Sequence, residues 1–258
     1  MAASSKVSEI DPSAVFQHTK WQNFGFSGTK LNGIRFFDCQ IRNCLFEQCQ
    51  LEDWRLWSTT ITECSFRWAD LKRSALGGVL EGRRNFYTGV DFSEADLRQT
   101  VYQAAAFERC AYRNTKLVKI DFQTSAFSNC QFEGELNDVL FYHRGFKGEA
   151  FPPNEMLNVD FSHAKLRDVG FRGLILNRVR LPNDAEHLVL KDFASTLDKM
   201  VNVLKQREDI TAKKVIAFLA IERKWAHPNQ VQGVLNIQDL AEIAGEEGVK
   251  RLLEVVPK

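Results

Sequence analysis

Long apolar runs are missing from this 258-residue chain. No stretch approaches the roughly 18 consecutive apolar residues of a spanning helix, and residues 1–14 hold no apolar signal core. Neither membrane insertion nor export is therefore expected, and a cytoplasmic location is. An excess of one charge is missing too. Residues 1–182 carry 23 basic and 21 acidic groups, and residues 183–258 carry 11 and 12, so neither part reads as a nucleic-acid arm or an acidic tail. Signatures of catalysis are absent: there is no G-x-S-x-G, no G-x4-G-K-[ST] and no H-E-x-x-H. The five histidines, His18, His143, His163, His187 and His227, lie scattered without neighbouring ligands. No enzyme, cofactor or metal site is read. Proline is scarce at 6 copies, and tyrosine and tryptophan at 4 and 5, against 20 phenylalanines. Such a bias asks for a repeated place that takes a large ring without a polar handle.

That place recurs every five residues. Its centres are Phe26, Leu31, Phe36, Ile41, Phe46, Leu51, Leu56, Ile61, Phe66, Leu71 and Leu76. After a phase shift they continue through Phe92, Leu97, Tyr102, Phe107, Tyr112, Leu117, Phe122, Phe127 and Phe132, and again through Phe161, Leu166, Phe171, Leu176 and Leu181. All 25 are Phe, Leu, Ile or Tyr. A half-apolar chain would manage this on the order of once in ten million placements. Two positions before each centre stands a second class, mostly Cys, Ala, Ser, Thr or Val, with Phe24 and Trp54 the aromatic exceptions and no charge at all. Five fits neither the 3.6 period of a helix nor the 2 of a strand. It fits a coil that turns a corner in every repeat, with one large and one small residue inside.

The chain here resembles the pentapeptide-repeat family, whose motif is Ala-(Asp/Asn)-Leu-x-x: Ala69-Asp70-Leu71-Lys72-Arg73 and Ala95-Asp96-Leu97-Arg98-Gln99 match it outright. The resemblance covers residues 16–181 and implies a mainly β fold, a right-handed quadrilateral β-helix with four repeats per turn. Residues 20 apart should then stack. Opposite charges at that spacing agree, as cross-strand neighbours should: Glu47/Arg67, Glu52/Lys72, Asp53/Arg73, Asp96/Lys116, Arg113/Glu133 and Asp160/Arg180, with Arg35/Arg55 the counterexample. The 25 centres make roughly six turns and a rod about 30 Å long.

The expected division is an N-terminal tail at 1–15, a β-solenoid at 16–182 with breaks near 77–89 and 133–158, and an α-helical cap or bundle at 183–258. The first break holds Gly77-Gly78 and Arg83-Arg84. The second holds Tyr142-His143-Arg144 and Pro152-Pro153, and proline cannot donate to a ladder. Phe141, Phe146, Phe151 and Met156 nevertheless keep phase with Phe161, so this stretch reads either as loop or as distorted coil. Beyond Pro182 the period turns helical. Phe193, Leu197, Met200, Val201 and Leu204 form one stripe, and Val215, Ile216 and Leu219 a second. Asn236 can cap a third helix that stops at Gly245, and Val249, Leu252, Leu253 and Val256 a fourth. Leu240-Ala-Glu-Ile-Ala-Gly245 is similar to the start of a helix-turn-helix, but Glu246-Glu247 put negative charge where phosphate would lie. A cap has a plain use in covering the open edge of the last turn.

All six cysteines, Cys39, Cys44, Cys49, Cys64, Cys110 and Cys130, occupy the small inward position, so C-x4-C-x4-C at 39–49 reads as packing rather than metal binding or disulfide. Candidate partner-binding residues are Arg83 and Arg84, in a Gly-rich stretch that reads as a turn or a phosphate cradle, Tyr142, His143 and Arg144 in the second break, and Phe37 with Trp57. The last two are outward aromatics 20 apart, which Trp68 would extend. The resemblance further implies a non-catalytic protein that binds and protects a type II topoisomerase such as DNA gyrase by DNA mimicry, conferring antibiotic or toxin resistance, with dimerisation through C-terminal helices. The slightly basic coil and the large C-terminal segment depart from that pattern. A general protein-interaction scaffold, with the helices as partner module, is the alternative.

Overall fold

The computed structural model describes residues 10–145 and 150–257. From Val15 to Arg180 the chain winds as a four-sided parallel β-solenoid. Most repeats contribute a short strand or bridge at the large inward residue or just before it, and then one left-handed residue two positions after it. His18, Asn23, Asp38, Asn43, Gln48, Asp53, Ser58, Glu63, Trp68 and Arg73 take this corner with φ between 48° and 60°, and Gly28 and Gly33 take it at 76° and 75°. A left-handed L-residue costs about 1 kcal/mol. Most corner N–H groups offset that cost by donating to a carbonyl one turn on, as Asp38 does to Trp57 O at 3.0 Å and Gln48 to Arg67 O at 2.9 Å.

Arg35 pairs with Arg55, Gln40 with Thr60 and Ala106 with Ala126, a spacing of 20. Side 1 of the coil carries Phe16, Phe36, Leu56, Leu76, Tyr102, Phe122, Phe141 and Phe171. Side 2 carries Trp21, Ile41, Ile61, Tyr87, Phe107, Phe127 and Met156. Side 3 carries a continuous column of stacked rings, Phe26, Phe46, Phe66, Phe92, Tyr112, Phe132 and Phe161, with centroids 4.7 to 5.4 Å apart. This column answers the phenylalanine excess, since parallel ladders at about 4.8 Å set like rings at stacking distance. The six cysteines are buried free thiols, and burial pushes those of Cys39, Cys49 and Cys110 above the ordinary range.

Phe16, Trp21, Tyr87, Leu136, Phe141 and Met156 also sit at centres, which brings the number to 31. The rod is therefore nearer eight turns than six. The breaks explain the difference. Thr60 pairs with Phe86 and Asp70 with Asp96, a spacing of 26, so six residues are inserted before Tyr87, a centre hidden inside the first gap. Leu117 pairs with Leu136 and Leu136 with Leu166, spacings of 19 and 30. One residue is thus lost after Phe132, and ten are inserted between Phe141 and Met156. Ten is two repeats, which is why Phe151 keeps the phase while lying outside the core; Phe146 lies outside the described residues. Of the charge pairs, Glu52/Lys72, Asp96/Lys116, Arg113/Glu133 and Asp160/Arg180 close within 3.5 Å. Arg67 turns instead to Asp91 and Arg73 to Glu52.

The cap is α/β rather than purely helical. Strands His187–Lys191 and Gln232–Asn236 pair antiparallel, and three helices pack on them: α1 (Phe193–Leu204), α2 (Ile210–Trp225) and α3 (Ile237–Val255), the last broken at Gly245 with φ 70°. Asn236 caps α3 by accepting from Gln238 N and Asp239 N. Side chains of the cap satisfy main-chain groups that the final turn leaves open. Leu166 N donates to His187 Nε2 at 3.0 Å, Asn236 Nδ2 donates to Leu166 O at 2.6 Å, and Asp168 N donates to Asp239 Oδ2 at 2.9 Å. Gln232 Nε2 donates to Leu176 O and Val179 O. The edge is closed by hydrogen bonds, not merely shaded.

Candidate functional site

Both insertions leave the coil at the same corner, between side 1 and side 2. Loop 1 (77–84) departs after Leu76 and loop 2 (143–153) after Phe141, three turns further along the rod. An asparagine returns each chain to the coil. Asn85, fully buried in the small inward position, accepts from Thr59 N at 2.9 Å and donates to Leu56 O and Leu76 O at 2.9 and 3.0 Å. Asn154, in the equivalent position before Met156, accepts from Phe127 N and Met156 N at 3.1 Å and donates to Tyr142 O at 3.2 Å. A primary amide has two acceptor lone pairs and two donors, which lets one side chain stand in for a missing stretch of ladder.

Loop 1 folds back over the turn before it. Ser58 Oγ lies 2.7 Å from Leu80 O and 2.9 Å from Arg83 O. Gly78 lies so close to the Trp57 ring that a Cβ there would fall 2.5 Å from Leu56 O and 2.7 Å from the ring. Arg83 donates to Asp38 Oδ1 at 2.8 Å and holds that carboxyl below its usual range. Phe37 and Trp57 stack face to face, centroids 4.5 Å apart and 3° between planes, on the same corner and partly under the loop. Trp68 does not extend them. Its corner is ten residues, hence two sides, away, on the opposite edge of the rod, where Arg67 covers it.

The described residues of loop 2, 143–145 and 150–153, lie against the coil and loop 1. Gly145 rests on Thr124, where a Cβ would meet Oγ1 at 2.1 Å. Phe151 reaches the Arg84 guanidinium, which lies 5.2 Å from its ring and 5.7 Å from that of Phe86. The two loops therefore meet across the intervening turns. Tyr142 and His143 form the stem rather than an open surface. Tyr142 is buried, its hydroxyl accepts from Arg172 and donates to Asp121, and His143 N donates to Arg172 O. Arg172 in turn stacks on Trp225 of the cap at 4.2 Å, coupling loop 2 to the C-terminal segment. Arg144 is exposed.

Arg83 and Arg84 have opposite fates. Arg83 is half exposed and neutralised by Asp38 and Glu81. Arg84 is 9% exposed, makes no ion pair among the described residues, and its Nη1 is buried without a hydrogen-bond partner. Burial alone lowers its pKa. It forms one wall of a groove of about 230 Å3 on side 2, floored by Thr88, Ala106, Ala126 and Ser128 and lipped by Phe86 and Leu157. Asn85, Asn154, Phe86 and Phe151 were not among the sequence candidates. The two asparagines had a signal, an amide two residues before a large centre at the end of each break.

A second concavity, about 200 Å3, lies between the last turn and the cap. Glu222 faces Asp239 and Asp168 there, and burial with their negative charge raises its pKa to about 7. No group of three or more His, Cys, Asp or Glu among the described residues is placed to hold a metal ion, and no helix is long and apolar enough to cross a membrane.

A five-residue repeat, a left-handed corner in most repeats and a 20-residue ladder together define a pentapeptide-repeat β-solenoid. No family model and no curated protein matches the chain. Solved structures similar to it include a trypsin-treated variant of QnrB1, a plasmid-mediated fluoroquinolone resistance protein, 17% identical over 71% of this chain and 92% of that one, with a TM-score of 0.30. Full-length QnrB1 is 18% identical over 67% and 86%, at 0.28. HetL, a pentapeptide repeat protein involved in heterocyst differentiation regulation from the cyanobacterium Nostoc, is 14% identical over 66% and 88%, at 0.23.

Proposed function

We propose that the chain is a non-catalytic protein-binding solenoid whose partner docks along the corner that carries both loops. The observation behind this reading is that two unrelated insertions, of six and ten residues, leave the same corner and meet at Arg84 and Phe151. Insertions without a shared task have four corners and many turns to choose from. Charge supports a protein partner engaged through loops over mimicry of DNA. Outward carboxylates on sides 3 and 4 alternate with Lys and Arg and largely pair with them, so no described side offers a run of unbalanced negative charge. Topoisomerase protection by loop contact is the finer form of the reading, and rescue of gyrase supercoiling from a quinolone would support it.

The general reading is tested by placing a photo-crosslinking residue at Phe86 or Glu155 beside the loop corner, and at Gln48 or Asn114 on the opposite one. Partner capture confined to the first two supports it. Capture from the opposite corner, or only from the cap, sinks it.

A further inference from the structure

Arg84 poses a chemical problem that the rest of the molecule does not solve. A buried guanidinium is normally paired, because a charge removed from water costs several kcal/mol without acceptors. Here the residue is 9% exposed, its guanidinium lies near the rings of both Phe86 and Phe151, and it presents a buried Nη1 with no acceptor among the described residues. Its neighbour Arg83 has two carboxylates. The groove it walls is built for an extended segment. Small residues Thr88, Ala106, Ala126 and Ser128 form its floor, so a main chain can approach closely, and Phe86 and Leu157, 45% and 39% exposed, offer apolar lips at its two ends. From the strand of Phe86 to the bridge at Leu157 are three strand spacings, about 14 Å, the reach of roughly four extended residues.

We infer that this groove receives a short extended segment of the protein partner, with one acidic side chain of that segment as the carboxylate acceptor for Arg84. The inference rests on the loop-corner reading and names the chemistry of its partner. The groove's other charges choose among acceptors. Glu155 and Glu108 stand on its rim, Glu108 tied to Arg109 at 2.9 Å. They make a dianionic phosphate or a nucleic-acid backbone a poor occupant, and favour a single carboxylate with apolar neighbours and a following basic residue.

The probe is the peptide acetyl-Leu-Glu-Leu-Lys-amide, compared with its Leu-Gln-Leu-Lys counterpart and with inorganic phosphate, titrated against full-length protein by NMR or calorimetry. The expected result is saturable binding of the Glu peptide, a loss of about tenfold or more on changing Glu to Gln, and the same loss with Arg84→Met. Phosphate at equal concentration should not compete. Melting without peptide supplies the readout that a packing role would move the other way. Arg84→Met, which removes a buried unpaired charge and keeps the apolar stem, should hold or raise the melting temperature. Equal binding of the two peptides, no binding of the Glu peptide, displacement by phosphate, or a clear fall in melting temperature for Arg84→Met overturns the inference. Crosslinking at Phe86 reads the docking corner separately, so capture there with a failed peptide titration rejects the Arg84 anchor and leaves the corner standing.

Discussion

Replacing Asn85 by Ala should cost far more than the single amide suggests. Alanine is sterically welcome at this position, since Ala69, Ala95 and Ala105 occupy it in other repeats and are buried. The cost must therefore come from the polar groups left behind. Thr59 N and Leu56 O would lose the partner that the amide provides inside the rod, while Leu76 O keeps the Tyr87 hydroxyl at 2.6 Å. Two buried main-chain groups at about 1–3 kcal/mol each give a destabilisation of about 2–6 kcal/mol. The assay is urea unfolding followed by far-UV circular dichroism, with Cys49→Ala as the control for a plain trimming of the same inward position. Limited proteolysis should also show loop 1 opening first, because its closure is what the amide secures. Asn85→Asp sharpens the test. A carboxylate facing Leu56 O and Leu76 O is repelled at pH 8, and protonation restores one donor. Its folded pKa is thus raised, and the variant should lose stability as pH climbs through the carboxylate range and beyond. An Asn85→Ala cost no greater than that of Cys49→Ala would refute the idea that this amide replaces missing ladder.

Glu222, raised to about 7 from 4.5, favours the protonated form in the folded state. Its penalty is absent below about pH 4.5 and complete above about 7, so Glu222→Gln should raise the melting temperature at pH 8 and change it little at pH 4.5. Tyr112 carries a buried hydroxyl with no hydrogen-bond partner in the aromatic column, and Tyr112→Phe should stabilise by about 1 kcal/mol in denaturant unfolding. Thiol titration of the native protein should find nearly no fast-reacting groups, and six after unfolding, because every cysteine is buried. Truncation after Pro182 should yield a chain that self-associates by light scattering, since Leu166 and Asp168 would then expose main-chain groups now bonded to His187, Asn236 and Asp239.

The coil was legible because its signal is additive. One large and one small inward residue recur through 31 repeats, and each repeat is a separate vote for the same inward pattern. The insertions were harder for an arithmetical reason. Six inserted residues plus a repeat make eleven, which hid Tyr87 between Leu76 and Phe92. Ten inserted residues equal two repeats, which left Phe151 in phase though it packs on Arg84. The cap hairpin escaped because His187–Lys191 and Gln232–Asn236 are 40 residues apart with two helices between them, so no turn signal joins them. Around the loop corner, Phe37, Trp57, Arg83 and Arg84 stand out in the sequence by type and spacing as candidates. That Arg83 is neutralised and Arg84 orphaned depends on which side of Ser58 the loop folds, and a dipeptide of identical residues carries no trace of it.

The corner also explains why loops belong where they are on such a rod. An insertion on a side would break the ladder above and below it, and removing hydrogen bonds in a parallel stack propagates to both neighbours. An insertion at a corner interrupts only the left-handed residue, and the chain can re-enter its column if something replaces the lost corner bonds. Asn85 and Asn154 provide that replacement inside the rod, each two residues before the large centre, Tyr87 or Met156, at which the coil resumes. Once each loop is secured at its base, its closure entropy grows only slowly with length, so six or ten residues are tolerated almost equally. Stacking both on one corner brings Phe151 of loop 2 to Arg84 of loop 1 across about 14 Å of rod. It turns two tolerated insertions into one continuous surface, with a buried cation at the seam and the cap reached through Arg172 and Trp225.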